Sequence, residues 1–213
     1  MNQILYSGFN NKTNSYKKKT KYFKFILYVS LFFFVSTLSY FFIYFYDTKK
    51  QEKLASNLIN SFNIDNLYSN NKNYVAVKLD NSTDANIIGI IKIDKLEIEY
   101  PIFSETTDEL LKIAPCKFFG PDANKIGNLC IVGHNFNDRR FFSKLSSLRK
   151  GDLIKIYSPA NVCVYYMVYD MYEIEKDDMN CTSQKTNGKK EITLITCNNI
   201  NKKRLIVKAS EYE

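Results

Sequence analysis

Histidine is almost missing from this chain: the 213 residues contain one, His134. With so few imidazoles, and no Cys-x-x-Cys spacing among the five cysteines, there is little from which to build a zinc centre. Acidic side chains are missing from residues 1–24, which carry Lys12, Lys17, Lys18, Lys19, Lys21 and Lys24. Charge of either sign is missing from residues 25–46. No internal repeat is visible, which sets aside repeat architectures.

These gaps locate the charge that is present. The net charge is +8, yet residues 54–213 hold 21 basic and 20 acidic side chains, because six lysines precede the uncharged stretch and Lys49, Lys50 and Lys53 closely follow it. A near-neutral body of this kind does not indicate a polyanion-binding face, so nucleic acid is not an expected partner. Of the 22 uncharged residues from Phe25 to Tyr46, eleven are Phe or Tyr. As a helix they extend about 33 Å, enough to cross a hydrocarbon core of roughly 30 Å. A cleaved signal peptide is the rival reading. Its apolar region is shorter, about 7 to 15 residues, and no small-residue cleavage pattern follows here. The expectation is an uncleaved anchor in the cell membrane, single-pass and type II, with the basic segment cytoplasmic and the C-terminal part outside. Tyr22, Tyr28, Tyr44 and Tyr46 sit where interfacial aromatics belong.

Beyond the anchor, Leu54, Ala55, Leu58, Ile59 and Phe62 recur at helical spacing, predicting a short amphipathic helix that packs on the main domain or stands off the membrane. An Asn-, Asp- and Ser-rich linker follows, with a brief strand at Tyr74–Val77. Strands are expected at 87–93, 97–102, 129–132, 153–157, 162–173, 191–197 and 205–209, where apolar or alternating runs are rich in β-branched and aromatic residues. Helices are expected at Thr107–Ile113, capped by Thr106 or Thr107, and at Phe141–Leu148. The fold class is therefore mainly β: a closed or nearly closed barrel of seven to eight strands with short helices, preceded by one transmembrane helix. The domain reading is 1–24 cytoplasmic tail, 25–46 span, 47–83 juxtamembrane helix and linker, and 84–213 catalytic domain.

Cysteine chemistry needs a free thiol, and five is an odd count, so pairing within the chain leaves at least one. Cys130 and Cys163 lie inside apolar strands and read as small buried core residues, whereas Cys116 and Cys181 fall in loops. Cys197 ends the run Glu191-Ile192-Thr193-Leu194-Ile195-Thr196-Cys197, and Arg204 opens the next strand after six loop residues. Antiparallel pairing across that loop brings Cys197 and Arg204 opposite each other at one rim of the sheet. His134 ends Leu129-Cys130-Ile131-Val132-Gly133-His134, with Gly133 allowing a close backbone approach. Each residue alone also fits a structural role; together, thiol, imidazole and guanidinium form a minimal set for acyl transfer.

Thr193-Leu194-Ile195-Thr196-Cys197 resembles the TLxTC signature of sortases, the membrane-anchored cysteine transpeptidases of Gram-positive bacteria. The Gly133-His134 pair and the strand-opening Arg204 extend the likeness over most of residues 84–213. The resemblance implies cleavage of an LPxTG-like sorting signal, with Cys197 as nucleophile, His134 as general acid and base, and Arg204 at the oxyanion. Its partners would be surface proteins bearing that signal and an amine acceptor, either a peptidoglycan precursor or a pilin lysine. Thr196 is a secondary substrate-contact candidate, although strand alternation faces it away from Cys197. Lys202 and Lys203 adjoin Arg204, and a register slip would present either in its place. No cofactor is implied with force: Glu175, Asp177 and Asp178 fall where some class A sortases bind calcium, but they also read as a solvated loop face. The short 176–190 segment and the lack of a DPW or DPF lid motif favour class A or D over B or C. The alternatives are a silent membrane-tethered binding module, or another cysteine acyl-transfer peptidase, whose SHGC-type run is absent.

Overall fold

The computed structural model describes residues 3–68, 74–79 and 84–212, with side-chain exposure in the first helix given for 20–63. Helix α1 runs Gln3–Tyr68. The chain divides into two compact units, Met1–Lys50 and Gln51–Glu213. In the first, the apolar side chains from Phe25 to Tyr46 are exposed, and none of the most apolar window is buried within the protein. Such a surface is stable where lipid replaces water, and α1 satisfies its own backbone hydrogen bonds as a spanning segment must. The single N-terminal apolar helix fits a single-pass type II membrane protein whose C-terminal unit is extracytoplasmic.

The second unit begins with the last turns of α1. Ala55, Leu58 and Phe62 recur on one helical face and are buried. Leu58 and Phe62 join Val75, Val77, Ile87, Phe103 and Leu110 in one apolar cluster. The amphipathic stretch thus packs on the domain.

Among the described residues nine strands follow: β1 Val75–Lys78, β2 Asp84–Ile93, β3 Ile98–Phe103, β4 Cys116–Phe119, β5 Gly127–Val132, β6 Leu153–Tyr157, β7 Cys163–Ile174, β8 Lys190–Cys197 and β9 Arg204–Glu211. They form one sheet in the order β1-β2-β3-β4-β5-β8-β9-β7-β6, and a further β2–β6 pairing closes β2 to β9 into an eight-stranded barrel. β1 lies outside the ring as an extra strand on β2. The pairing is mixed: β5–β8 and the short β3–β4 contact are parallel, the rest antiparallel. Closure depends on Gly89, at a register shift in β2, where a Cβ would stand 2.7 Å from the Tyr157 carbonyl and 3.1 Å from Ala123 Cβ. Inside the ring, Ile91, Ile102, Leu129, Ile131, Phe142, Ile154, Ile192, Leu194 and Val207 fill the core. Each such aliphatic side chain contributes about 1.5–3 kcal/mol on burial.

Four expectations change. Cys116 is not in a loop but opens β4, a strand of four residues too short to show a period. The helix expected at 141–148 is a bridge from Phe141 to Asn135 followed by one 3₁₀ turn at Leu145–Ser147. Phe141 has φ +52°, which no α-helix accepts, and its apolar neighbours Phe142, Leu145 and Leu148 are buried by plugging the barrel rather than by helical spacing. Cys163 is only partly buried. The other expected helix shrinks to one turn, α2 Asp108–Leu111, capped by the Thr107 hydroxyl, which accepts from the Leu110 N–H at 3.2 Å.

Candidate active site

The rim where β5, β8 and β9 end is assembled from both local and distant sequence. The β8–β9 hairpin pairs Cys197 directly with Arg204. Its turn is held by the Asn198 N–H on the Lys203 carbonyl (2.8 Å) and the Ile200 N–H on the Asn198 side-chain oxygen (2.9 Å). Lys203 is drawn off to Glu175 (2.7 Å) and Lys202 sits in the turn at φ +60°, so the register presents the arginine. Arg204 is partly buried, and among the described residues its guanidinium has no hydrogen-bond or ion-pair partner. A rigid fork of donors is thereby left free beside an exposed thiol.

His134 arrives by a different route. β5 runs parallel to β8 with Val132 beside Ile195. Past the last ladder pair the two chains stay joined: the Gly133 N–H donates to the Ile195 carbonyl (3.1 Å) and the Thr196 hydroxyl donates to the Gly133 carbonyl (2.8 Å). Continued at this offset, the parallel register sets His134 level with Cys197. The next residue tightens the junction, for Asn135 Nδ2 donates to the Cys197 carbonyl (2.7 Å) and Asn199 Nδ2 to the Asn135 carbonyl (3.0 Å). Gly133 is needed here because a Cβ would meet the Phe142 ring at 2.7 Å. The close approach that glycine allows is thus to the barrel plug.

The imidazole is half-buried against Phe136, with ring centroids 4.9 Å apart. Arg140 stacks over Phe136 (4.6 Å) and Phe141 (5.4 Å), and its Nε donates to Asp138 (2.8 Å). Burial holds the His134 pKa below the usual imidazole value; the Asp108 charge opposes this, and the Lys112 and Arg140 charges reinforce it.

Thr196 is buried, and its hydroxyl is spent on the Gly133 carbonyl. It borders a cleft of 210 Å³ that also reaches Cys197, Phe142, Glu173, Asn198 and Leu205. The acidic loop does not gather: Glu175 pairs with Lys203, Asp178 accepts from the Asn180 N–H (2.9 Å), and no group of three or more His, Cys, Asp or Glu among the described residues is placed to hold a metal. Glu175, Asp177 and Asp178 therefore do not fit a calcium site as they stand.

Asn135, Asn199, Phe136 and Arg140 escaped sequence reading. They sit in loops without periodicity, and only the polar run after the strand-end histidine marks the place.

A mixed β-barrel behind a membrane-spanning helix, with a thiol, an imidazole and a guanidinium brought to one rim, defines the structural class of this protein. Residues 91–212 match the family described as the sortase domain, more than half of the chain, and the chain belongs to that family. Sortase A from Bacillus anthracis is 32% identical over 124 residues, covering 57% of this chain and 58% of that protein. The chain thus spans less than two thirds of the length of this curated relative. Among solved structures, Clostridium perfringens sortase C with a C-terminal cell wall sorting motif is similar over 78% of this chain and 88% of that one, with TM-score 0.55 and 21% identity. A lid mutant of Corynebacterium diphtheriae sortase A has TM-score 0.56 and 22% identity over 62% and 73% of the respective chains. Sortase C-1 from Actinomyces oris has TM-score 0.55 and 22% identity over 60% and 72%. At these identities the structures show the fold alone. Both sortase C and sortase A structures stand among them, and at such identity they do not decide the class.

Proposed function

We propose that this sortase-family protein is a cysteine transpeptidase that cleaves an LPxTG-like sorting signal and passes the acyl group to an amine. The observation that carries the reading is the paired register of Cys197 with Arg204 on a rim that His134 reaches through the β5–β8 parallel ladder. In this mechanism the Cys197 thiolate attacks the scissile carbonyl carbon, and the carbonyl electron pair moves onto oxygen. Arg204, a charged donor already desolvated on one side, stabilises that oxyanion. Collapse expels the leaving amine, which takes a proton from His134, and a thioacyl enzyme remains. The acceptor amine, from a peptidoglycan precursor or a pilin lysine, attacks the thioester and gives its proton back to His134. Water in place of the amine gives hydrolysis.

Thr196 has two parts in this reading: its hydroxyl ties the two strand ends together, and the residue borders the cleft. The boundary at 84 for the catalytic domain and the class A or D assignment belong to the same proposal. The class rests on the absent DPW or DPF motif and on the likeness to a class A relative.

The test incubates residues 51–213 with a panel of quenched LPxTG-like peptides and an amine acceptor. Cleavage lost in Cys197→Ala and product carrying the amine are expected. No cleavage of any peptide, together with an unchanged cell-wall proteome in cells carrying Cys197→Ala, overturns the reading.

A further inference from the structure

Four of the five thiols have no part in this mechanism, and two of those lie together. Cys130, in the middle of β5, and Cys181, in the β7–β8 connection, are both buried and share a small cluster with Ile195 and Ile206. Cys116 belongs to a different apolar cluster, and Cys163 lies beside Tyr157 on the β6–β7 ladder.

The contacts around the pair are specific. Thr193 lies directly across the parallel ladder from Cys130, and Asn128 lies two residues before Cys130 on the same strand face. Both hold the main chain of Cys181: its carbonyl accepts from Asn128 Nδ2 (3.0 Å) and from the Thr193 hydroxyl (3.4 Å). Thr193 and Asn128 are themselves bonded at 2.7 Å. The same connection is stitched to β5 again by Gln184, which accepts from the Asn128 N–H (3.0 Å) and donates to its carbonyl (2.9 Å). Cys181 is thus seated over the strand position that Cys130 occupies. Burial pushes the Cys130 thiol up to about 12, and an ionised Cys181 opposes its ionisation further.

We propose that Cys130 and Cys181 are a disulfide-forming pair, a redox-sensitive clasp between β5 and the β7–β8 connection. The oxidant is a disulfide, either a small-molecule disulfide or an extracytoplasmic thiol–disulfide oxidoreductase. Each cysteine loses one hydrogen, one S–S bond forms, and the oxidant's disulfide is reduced to two thiols. The compartment suits it, because the unit carrying the pair is extracytoplasmic, where disulfides persist. Protonated and hidden, the two thiols react slowly while the connection is closed. The bond therefore forms as the connection opens, or during folding, and is then protected.

The clasp matters because of the face it closes. Thr193, Ile195 and Cys197 alternate along one face of β8, and Arg204 and Ile206 face the same way on β9. Fixing the connection over Cys130 fixes a wall of the surface on which the Cys197 thiol sits. Formation of the clasp does not depend on the transpeptidase reading.

The test uses the full chain in detergent micelles, incubated with oxidised glutathione both in the folded state and during refolding. Free thiols are alkylated under denaturing conditions, the protein is reduced, and new thiols receive a second, heavier label. Cys130 and Cys181 are expected to carry the second label, with a linked peptide joining those two, whereas Cys116 and Cys163 carry the first and the exposed Cys197 is distinguished by its glutathione mixed disulfide, which joins no second peptide. The oxidised form is expected to melt roughly 5 °C or more above the reduced form. Cys181→Ser and, separately, Cys130→Ser are each expected to abolish the linked peptide and the melting difference. First label on Cys130 and Cys181 after both incubations, or a peptide-to-peptide linkage involving any other cysteine, overturns the proposal.

Discussion

In the proposed mechanism, His134 is the residue through which pH acts on the site. Its folded pKa lies below the ordinary 6.5, first because burial penalises the imidazolium. Between the lowered value and 6.5 the unfolded chain binds more protons than the folded one, so this group's contribution raises stability with pH and is lost as pH falls through that window. As the only histidine, it gives one set of imidazole resonances, and NMR titration is expected to place its midpoint below 6.5. Asp108→Asn removes the opposing charge and should move the midpoint lower; Lys112→Gln should move it higher. A midpoint at or above 6.5 contradicts the described burial. Arg204 gives a second prediction at this scale. Arg204→Lys should fold with an unchanged melting temperature yet lose most peptide-cleaving turnover, since a point charge does not replace a fork. Near wild-type turnover would remove Arg204 from the oxyanion.

At the scale of elements, the junction of β5 with β8 decides whether a site exists. Thr196 ties the two strand ends together through a buried hydroxyl, so Thr196→Val should destabilise the fold by about 1–2 kcal/mol and lower turnover, read by denaturant melts beside peptide cleavage. Unchanged stability would show that the strand ends do not need this bond. The same junction marks the limit of what sequence alone made legible. The hairpin from Cys197 to Arg204 was readable because its partners are six loop residues apart and alternation assigns their faces. The place of His134 was not, because it depends on parallel pairing between strands more than fifty residues apart, which no local period encodes. Alternation found seven strands of the barrel but not β4, whose Cys116–Phe119 has one buried residue and two exposed phenylalanines. The 141–148 segment misled for a related reason: its apolar residues are buried by plugging the barrel, and burial without regular structure mimics a helical stripe.

For the whole molecule, the chain joins an apolar helix to a barrel, and the second compact unit begins at Gln51, within the stretch that reads from sequence as juxtamembrane helix and linker. Leu58 and Phe62 from α1 and Val75 and Val77 from β1 are buried with Ile87 and Phe103. A protein beginning at residue 51 should therefore melt well above one beginning at 84. Phe62→Ala should cost about 3–5 kcal/mol, measured by denaturant unfolding. Equal melting temperatures for the two lengths would show that α1 and β1 add nothing to the barrel.

The central claim is that this barrel presents Cys197 to a peptide carbonyl, and intact-mass spectrometry of the protein after brief exposure to an LPxTG-like peptide, without acceptor amine, tests it most directly. The predicted result is a mass increase equal to the acyl half of the peptide, mapped to Cys197 and discharged by added amine; a protein whose mass stays unchanged with every peptide tried, or an adduct on any other residue, would contradict it.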